Sequence, residues 1–116
     1  MAMADDLPIY RPAYELLTLV TQLTQQYPRG YRQGLARDMC LEAQHLVTTI
    51  FQANSARDKV PSIETLREKL NTLRLQLRLS KDLRLISPGK FGATVVLTDA
   101  VGKQAAGWLK YAKERA

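Results

Sequence analysis

The sequence predicts an all-α fold: an up-down-up-down four-helix bundle forming one domain over residues 1–116. Three observations predict it. Prolines and glycines divide the 116 residues into four segments. Apolar residues recur in each segment at helical spacing, and the connections are short, as between antiparallel helices of a bundle. The turn and strand signals of β and α/β folds are missing.

The first helix is expected over about residues 11–27. Pro12 suits a first helical turn, because its missing N–H has no partner there. Leu16, Val20 and Leu23 follow on one side of the helix. The run Tyr27-Pro28-Arg29-Gly30 is expected to end it, since proline disfavours the α conformation in the residue before it and glycine permits a turn.

The second helix is expected over about residues 31–54, followed by a polar connection at 54–59. Its apolar residues recur at i, i+4, i+8, i+11, i+12 and i+15, as on one side of an amphipathic helix: Leu35, Met39, Ala43, Leu46, Val47 and Ile50.

The third helix is expected over about residues 62–86, with Ser62 as N-cap and Glu64 complementing the helix dipole. Leucines at 73, 75, 77 and 79 alternate with polar residues, as they would in a strand. The neighbouring strong helix formers, and a run of more than 20 residues without Gly or Pro, favour the helix.

The fourth helix is expected over about residues 88–113, with Ser87 as N-cap and Pro88 at the first helical position. It continues with Phe91, Val95, Thr98, Gly102, Ala105 and Leu109 at helical spacing.

Two apolar stripes run along the third helix. One contains Leu66, Leu70, Leu73 and Leu77, and the other, nearly opposite, contains Leu75, Leu79, Leu83 and Ile86. A helix in a monomeric bundle needs one such stripe. The second is either a wide core contact or a subunit interface, and we predict an oligomer interface because monomers rarely leave such a patch in water.

A row of basic residues lies between the two stripes and has no acid within it: Arg67, Arg74, Arg78 and Lys81. A solvated face is one interpretation. Contact with nucleic-acid phosphates is the other, and it explains why like charges stand at spacings that weaken a helix. Lys103 and Lys110 extend the predicted nucleic-acid site, as do Arg29, Arg32 and Arg37. Tyr111 is a candidate for base stacking, and Trp108 is expected in the core.

The overall charge agrees with an anionic partner. The chain has 17 Lys and Arg against 11 Asp and Glu, a net charge of +6, and its pI is near 9.7. Cys40 is the single cysteine, so no internal disulfide forms and a reducing cytoplasm is expected. No apolar run approaches the roughly 18 residues of a membrane span, so no membrane partner is expected.

Residues for catalysis or metal binding are scarce. Cys40 and His45 lie about 140° apart on one helix and do not form a dyad. Glu42 and His45 have the Glu-x-x-His spacing of di-iron bundles, but that site needs a second such motif and the chain has no second histidine. We therefore expect no catalytic residues, no metal and no cofactor.

Short segments in a particular order resemble a known family: Ile9-Tyr-Arg-Pro-Ala-Tyr-Glu-Leu-Leu17, Tyr27-Pro-Arg29, Ala53-Asn-Ser-Ala56, Leu83-Arg-Leu-Ile-Ser87 and Gly107-Trp-Leu-Lys110. The chain resembles, over almost its whole length, the accessory variability determinant (Avd) proteins of diversity-generating retroelements. These are four-helix bundles related to ribosomal-RNA intervening-sequence proteins.

The resemblance implies a homopentameric barrel and a basic surface that binds RNA or DNA. It also implies association with the reverse transcriptase of the element and a role in mutagenic retrohoming. From the residues alone, binding is expected to be backbone-dominated and weakly sequence-selective. An alternative is a protein–protein adaptor whose basic face meets an acidic partner.

Overall fold

Four long helices make up most of the computed structural model, which describes residues 3–115. Within that range no strand is present, which confirms the all-α prediction. The helices are α1 (Tyr10–Thr24), α2 (Arg37–Ser55), α3 (Val60–Asp82) and α4 (Pro88–Arg115). Short 3-10 helices at Ala4–Asp6 and Arg29–Tyr31 and a π-helical turn at Arg32–Ala36 complete the described helical segments.

Each helix packs against its two neighbours in the chain order α1, α2, α3, α4 and back to α1. Consecutive helices are antiparallel: the start of α1 meets the end of α2 at Tyr10 and Phe51. The end of α3 likewise meets the start of α4 at Lys81 and Phe91. Helices α1 and α3 are therefore diagonal, and the α1–α2 side of the bundle lies opposite the α3–α4 side.

The core lies between the four helices and consists mainly of aliphatic side chains. The largest fully buried ones include Leu16, Met39, Leu46, Leu66 and Leu70. Trp108 is half-buried and packs against this core, in line with its expected role. The buried hydroxyls of threonine and serine donate to carbonyl oxygens three or four residues earlier in their own helices, so they add no unpaired polar group to the core.

The connection from α1 to α2 differs from the expectation that the first helix reaches Tyr27. Helix α1 ends at Thr24, and the next bonds run from the N–H groups of Gln26 and Tyr27 to carbonyls only three residues earlier. This tightening turns the buried Tyr27 ring into the core. The π-helical turn Arg32–Ala36 then leads into α2.

Helix α3 begins earlier than predicted, and Ser62 is not its cap. The N-cap is Lys59. The N–H of Val60 donates to Oδ1 of Asp58 at 3.2 Å, so the carboxylate that pairs the first helical N–H lies in the segment that was predicted as a plain polar connection. The Nζ of Lys59 donates to three carbonyls at the end of α2, those of Ala53, Asn54 and Ala56. The short α2–α3 connection thus supplies hydrogen-bond partners for backbone groups at the end of α2 and at the start of α3.

Helix α3 also ends earlier, at Asp82 instead of residue 86. Arg84 adopts φ 61° and is the one non-glycine residue with positive φ among the described residues. The N–H of Leu85 donates to the carbonyl of Ser80 at 2.8 Å, and the N–H of Arg84 to that of Lys81 at 2.9 Å. These two bonds form a Schellman motif, in which glycine normally occupies the left-handed position. Because arginine stands there, the sequence carried no stop signal.

Helix α4 starts as expected. Ser87 Oγ accepts the N–H of Lys90 at 3.2 Å, which is the N-cap bond, and Pro88 is the first helical residue. The helix continues without interruption through Gly92, Gly102 and Gly107.

Candidate nucleic-acid interface

The predicted basic row on α3 lies on the side of that helix that faces α4. Arg74 contacts Thr98 and Asp99 of α4, and Lys81 lies beside Phe91 at the start of α4. Arg78 lines a groove of about 180 Å³ between the two helices, together with Val95. Arg67 is two turns before Arg74 and shares its side of α3.

Arg74 has more partners within the protein than the spacing of the basic row on α3 predicts. Its Nη2 donates to the carbonyl oxygen of Thr98 at 3.1 Å and lies 3.5 Å from Oδ1 of Asp99. Its Nη1 donates to Oδ1 of Asn71 at 3.3 Å. The expectation that the row has no acidic partner is therefore wrong at this position, because the acid comes from the neighbouring helix.

Lys81 is also held by the bundle. Its side chain is half-buried, and Nζ lies 5.1 Å from the centroid of the Phe91 ring, within cation–π range. Neither Arg74 nor Lys81 is thus as available to an external phosphate as the exposed Arg67 and Arg78.

Lys103 and Lys110 are exposed on α4. They are seven residues apart and so share one side of the helix. Lys103 follows Gly102, the residue that Arg74 lies against. We call Arg67, Arg78, Lys103 and Lys110 the α3–α4 basic face; none of the four makes an ion pair with another residue in the range 3–115.

Three further predicted residues lie elsewhere. Arg29, Arg32 and Arg37 are exposed in and after the α1–α2 connection. Arg32 and Arg37 line a depression of about 420 Å³ beside Thr24 and Cys40 of α1 and α2. These arginines belong to the α1–α2 side of the bundle, so the predicted cations do not form one continuous surface.

The second apolar stripe is present in part. Leu75 is 68% exposed and Leu79 and Leu83 are each 44% exposed, and we call these three the α3 apolar patch. Ile86 is wrong as a member of this stripe: it is 6% exposed and belongs to the core. The reason is the end of α3 at Asp82, after which the left-handed Arg84 turns the chain inward.

Another exposed apolar surface, not expected from the sequence, lies on the α1–α2 side. The rings of Tyr10 and Tyr14 stack with centroids 5.7 Å apart, and Phe51 meets Tyr10 edge-on at 5.8 Å. Tyr14 and Phe51 are both exposed. We call these three residues the aromatic patch; its signal in the sequence was the pair of tyrosines one turn apart.

Two arginines at the end of the bundle where α4 terminates were not predicted from the sequence to belong to a site. Arg57 lies in the α2–α3 connection and Arg115 at the end of α4, and both line one cavity with Tyr111. Their sequence positions, in a polar connection and at a helix end, gave no periodic signal that would bring them together.

Tyr27 has the one perturbed ionisable side chain among the described residues. Burial raises the pKa of its phenol above the usual value of 10.0, and nearby Cys40 raises it further, while a hydrogen bond with Ser80 acts in the opposite direction. The ring is 1% exposed and its hydroxyl donates to the Met39 sulfur at 3.7 Å. This phenol is a core group and reaches no external ligand.

No cluster of three metal-ligating side chains occurs between residues 3 and 115. His45 is exposed, and Cys40 Sγ lies 3.1 Å from the Thr24 hydroxyl. No helix in the described part of the chain is long and apolar enough to cross a membrane.

A family model described as bAvd-like matches residues 9–112 of the chain. The matched range includes all of α2 and α3, all of α1, and α4 as far as residue 112. No curated protein matches the sequence.

Proposed function

Because the chain belongs to the bAvd-like family, we propose that it is a non-catalytic accessory protein of a diversity-generating retroelement. In this role it binds RNA or DNA and associates with the reverse transcriptase of the element. Membership of the family supports the link to the retroelement and to its polymerase. The positive charge on the surface of the bundle supports nucleic-acid binding.

The α3–α4 basic face is the observation that carries nucleic-acid binding. Its four side chains, Arg67, Arg78, Lys103 and Lys110, are exposed and lack ion-pair partners among residues 3–115. Surface cations of this kind neutralise phosphates and release counterions, which gives sequence-independent affinity. Phosphate contacts of this kind carry no sequence information, so the binding that we propose is backbone-dominated and weakly sequence-selective.

We also propose that the protein acts as a homo-oligomer, and the family resemblance suggests a pentamer. Two observations support assembly. The α3 apolar patch and the aromatic patch are both exposed, and they lie on opposite sides of the bundle. Two different patches that meet each other give a head-to-tail interface, which closes into a ring when the rotation allows it.

The proposed function is tested with the purified full chain and with the polymerase encoded beside it. The two proteins are co-expressed, treated with nuclease and separated by gel filtration. We expect them to elute together, and we expect the untreated protein to carry nucleic acid. An adaptor that meets an acidic protein would also keep its partner after nuclease treatment, but it would carry no nucleic acid beforehand and would show no affinity for an added oligonucleotide.

A further inference from the structure

At the end of the bundle where α4 terminates, the α2–α3 connection and the last turns of α4 enclose a cavity of about 380 Å³. This volume is within the range of about 300–1,000 Å³ that small-ligand sites occupy. It suits one nucleotide-sized group and not the width of a duplex. The lining residues are Arg57, Asp58, Lys59, Tyr111, Ala112 and Arg115.

Two of the charged residues in this cavity already have partners. Asp58 accepts the N–H of Val60 at the start of α3, and Lys59 Nζ donates to three carbonyls at the end of α2. Arg57 and Arg115 are exposed and form no ion pair with any residue from 3 to 115. The cavity therefore offers two guanidinium groups to an anion.

The cavity that these arginines line also contains an aromatic ring. Tyr111 is 54% exposed, and the guanidinium carbon of Arg115 stands 4.7 Å from the ring centroid. The same ring lines a second cavity of about 220 Å³ with Gly107 and Trp108. An exposed cation–π contact is weaker than the stacking of a nucleobase on an aromatic side chain, so a base can replace the guanidinium over the ring.

We propose that this cavity binds one unpaired nucleotide of a single-stranded nucleic acid. The base stacks on Tyr111, and Arg57 and Arg115 contact the adjoining phosphates. A base inside a duplex is covered on both faces by its neighbours and does not reach the ring. This proposal rests on the proposed function and adds a preference for single strands, whereas the α3–α4 basic face attracts any phosphate backbone.

The position of the cavity fits this division of roles. Lys110, which belongs to the α3–α4 basic face, directly precedes Tyr111 on α4. Successive side chains of a helix point about 100° apart, so Tyr111 and its cavity face a different direction from that face. An acidic peptide would also be attracted by the two arginines, but it would leave the exposed Tyr111 ring without a contact.

The test uses the full chain and two probes in a fluorescence anisotropy titration: a single-stranded oligodeoxythymidine of about 12 nucleotides and a blunt duplex of the same length. We expect Tyr111→Ala to weaken single-strand binding by about 5- to 150-fold, the range for loss of one base–aromatic stack. Duplex binding should stay unchanged. Tyr111→Phe is the matched control, because it keeps the stacking ring and should bind like the wild type.

The phosphate contacts proposed for the arginines are tested by the salt dependence of binding. Arg57→Ala should lower the slope of log affinity against log salt for the single strand by up to about one. A wild-type protein that binds both probes, with Tyr111→Ala binding the single strand equally well, overturns this site but leaves the proposed function standing. A wild-type protein that binds neither probe overturns both. Equal losses for Phe and Ala at residue 111 also contradict stacking.

Discussion

The guanidinium of Arg74 occupies the space that a side chain at residue 102 would need. A Cβ atom on Gly102 would lie 2.7 Å from Nη2 of Arg74, and that same nitrogen donates to the carbonyl of Thr98. Glycine inside a helix costs about 1 kcal/mol relative to alanine. In α4 the absence of a side chain at Gly102 leaves room for the Arg74 guanidinium, whose contacts join α3 to α4.

The first prediction concerns this contact. Gly102→Ala should push Arg74 into solvent, because the obstructing atom is the end of a flexible side chain. Arg74 is partly exposed, so its ion pair and hydrogen bond together stabilise the bundle by about 1 kcal/mol, close to the propensity that alanine gains. The free energy of unfolding in urea should therefore change by less than about 1 kcal/mol.

A double-mutant cycle with Arg74→Ala separates the two effects. Arg74→Ala should destabilise the wild type but not the Gly102→Ala variant. Gly92→Ala is the control, because nothing lies within 4 Å of a Cβ at that position. It should stabilise the protein by about 0.5–1 kcal/mol, and Arg74→Ala should keep its full effect in that background. An equal cost of Arg74→Ala in all three backgrounds would contradict the assignment.

Arg74 also shows which features of the candidate interface helical periodicity predicts and which it does not. Spacing along α3 put Arg74 on one side of the helix with Arg67 and Arg78, and the structure places that side against α4. The partners Thr98 and Asp99 depend on the register between α3 and α4. Periodicity within one helix does not contain that register, so the ion pair was not predictable from it.

The second prediction concerns the end of α3. Arg84 has φ 61°, a conformation that costs a residue with a Cβ about 1 kcal/mol and glycine little. Arg84→Gly should therefore raise the free energy of unfolding by about 0.5–1 kcal/mol. The same substitution at Arg78, an exposed position inside α3, should lower it by about 1 kcal/mol. Urea denaturation of the two variants measures both; a loss of stability at residue 84 would contradict the Schellman motif.

The end of α3 accounts for the difference between the expected and the observed second apolar stripe. Leu75 and Leu79 lie on the outer side of α3, as the leucine spacing predicts. The spacing also included Ile86, which is in the core because the chain leaves the helix after Asp82. A left-handed arginine has no recognisable sequence signal, so the stripe was extended one turn too far.

The third prediction concerns Tyr27 and alkaline pH. Burial is the main cause that raises the pKa of its phenol, so the folded state holds this proton more tightly than the unfolded chain, where the pKa is about 10. The resulting stabilisation is complete below about pH 10 and is lost as the pH rises through the folded-state pKa. Tyr27→Phe removes the ionisable group, so this variant should lose less stability above about pH 10 than the wild type.

Thermal unfolding from about pH 8 to 11 makes the comparison, since the two proteins differ only in the hydroxyl group of residue 27. At neutral pH the variant should lose on the order of 1 kcal/mol relative to the wild type, because it lacks the hydrogen bonds of the phenol with the Met39 sulfur and with Ser80. Parallel curves for the two proteins across the alkaline range would show that the phenol does not control this transition.

The fourth prediction tests the α3–α4 basic face with one residue. Arg78→Ala should weaken binding to single-stranded and duplex DNA alike and lower the salt slope by up to about one. Arg11→Ala is the control: it removes one positive charge from an exposed site on α1, diagonal to α3, where the exposed ion pair with Glu15 contributes little to stability. At about 0.15 M salt a charge on the opposite side of the bundle is screened from nucleic acid bound at the α3–α4 basic face, so the affinity should change by less than about twofold. Equal effects of the two variants would point to net charge instead of this face.

The last prediction concerns assembly. Leu79→Glu places a charge in the α3 apolar patch, and Tyr14→Glu places one in the aromatic patch. A charge without a partner in an apolar interface costs on the order of several kcal/mol, so each variant alone should be monomeric by light scattering after gel filtration. Gln22→Glu, on an exposed part of α1 outside both patches, should keep the wild-type mass.

Mixing the two variants distinguishes the kind of interface. Each variant keeps the patch that the other has lost, so in a head-to-tail arrangement one intact interface forms between them and assembly stops at a dimer. If each patch instead meets its own copy on a neighbouring protomer, both variants retain one self-complementary contact and dimerise separately. A mixture that stays monomeric, or a wild type that is monomeric at micromolar concentration, would remove both patches from consideration as subunit contacts.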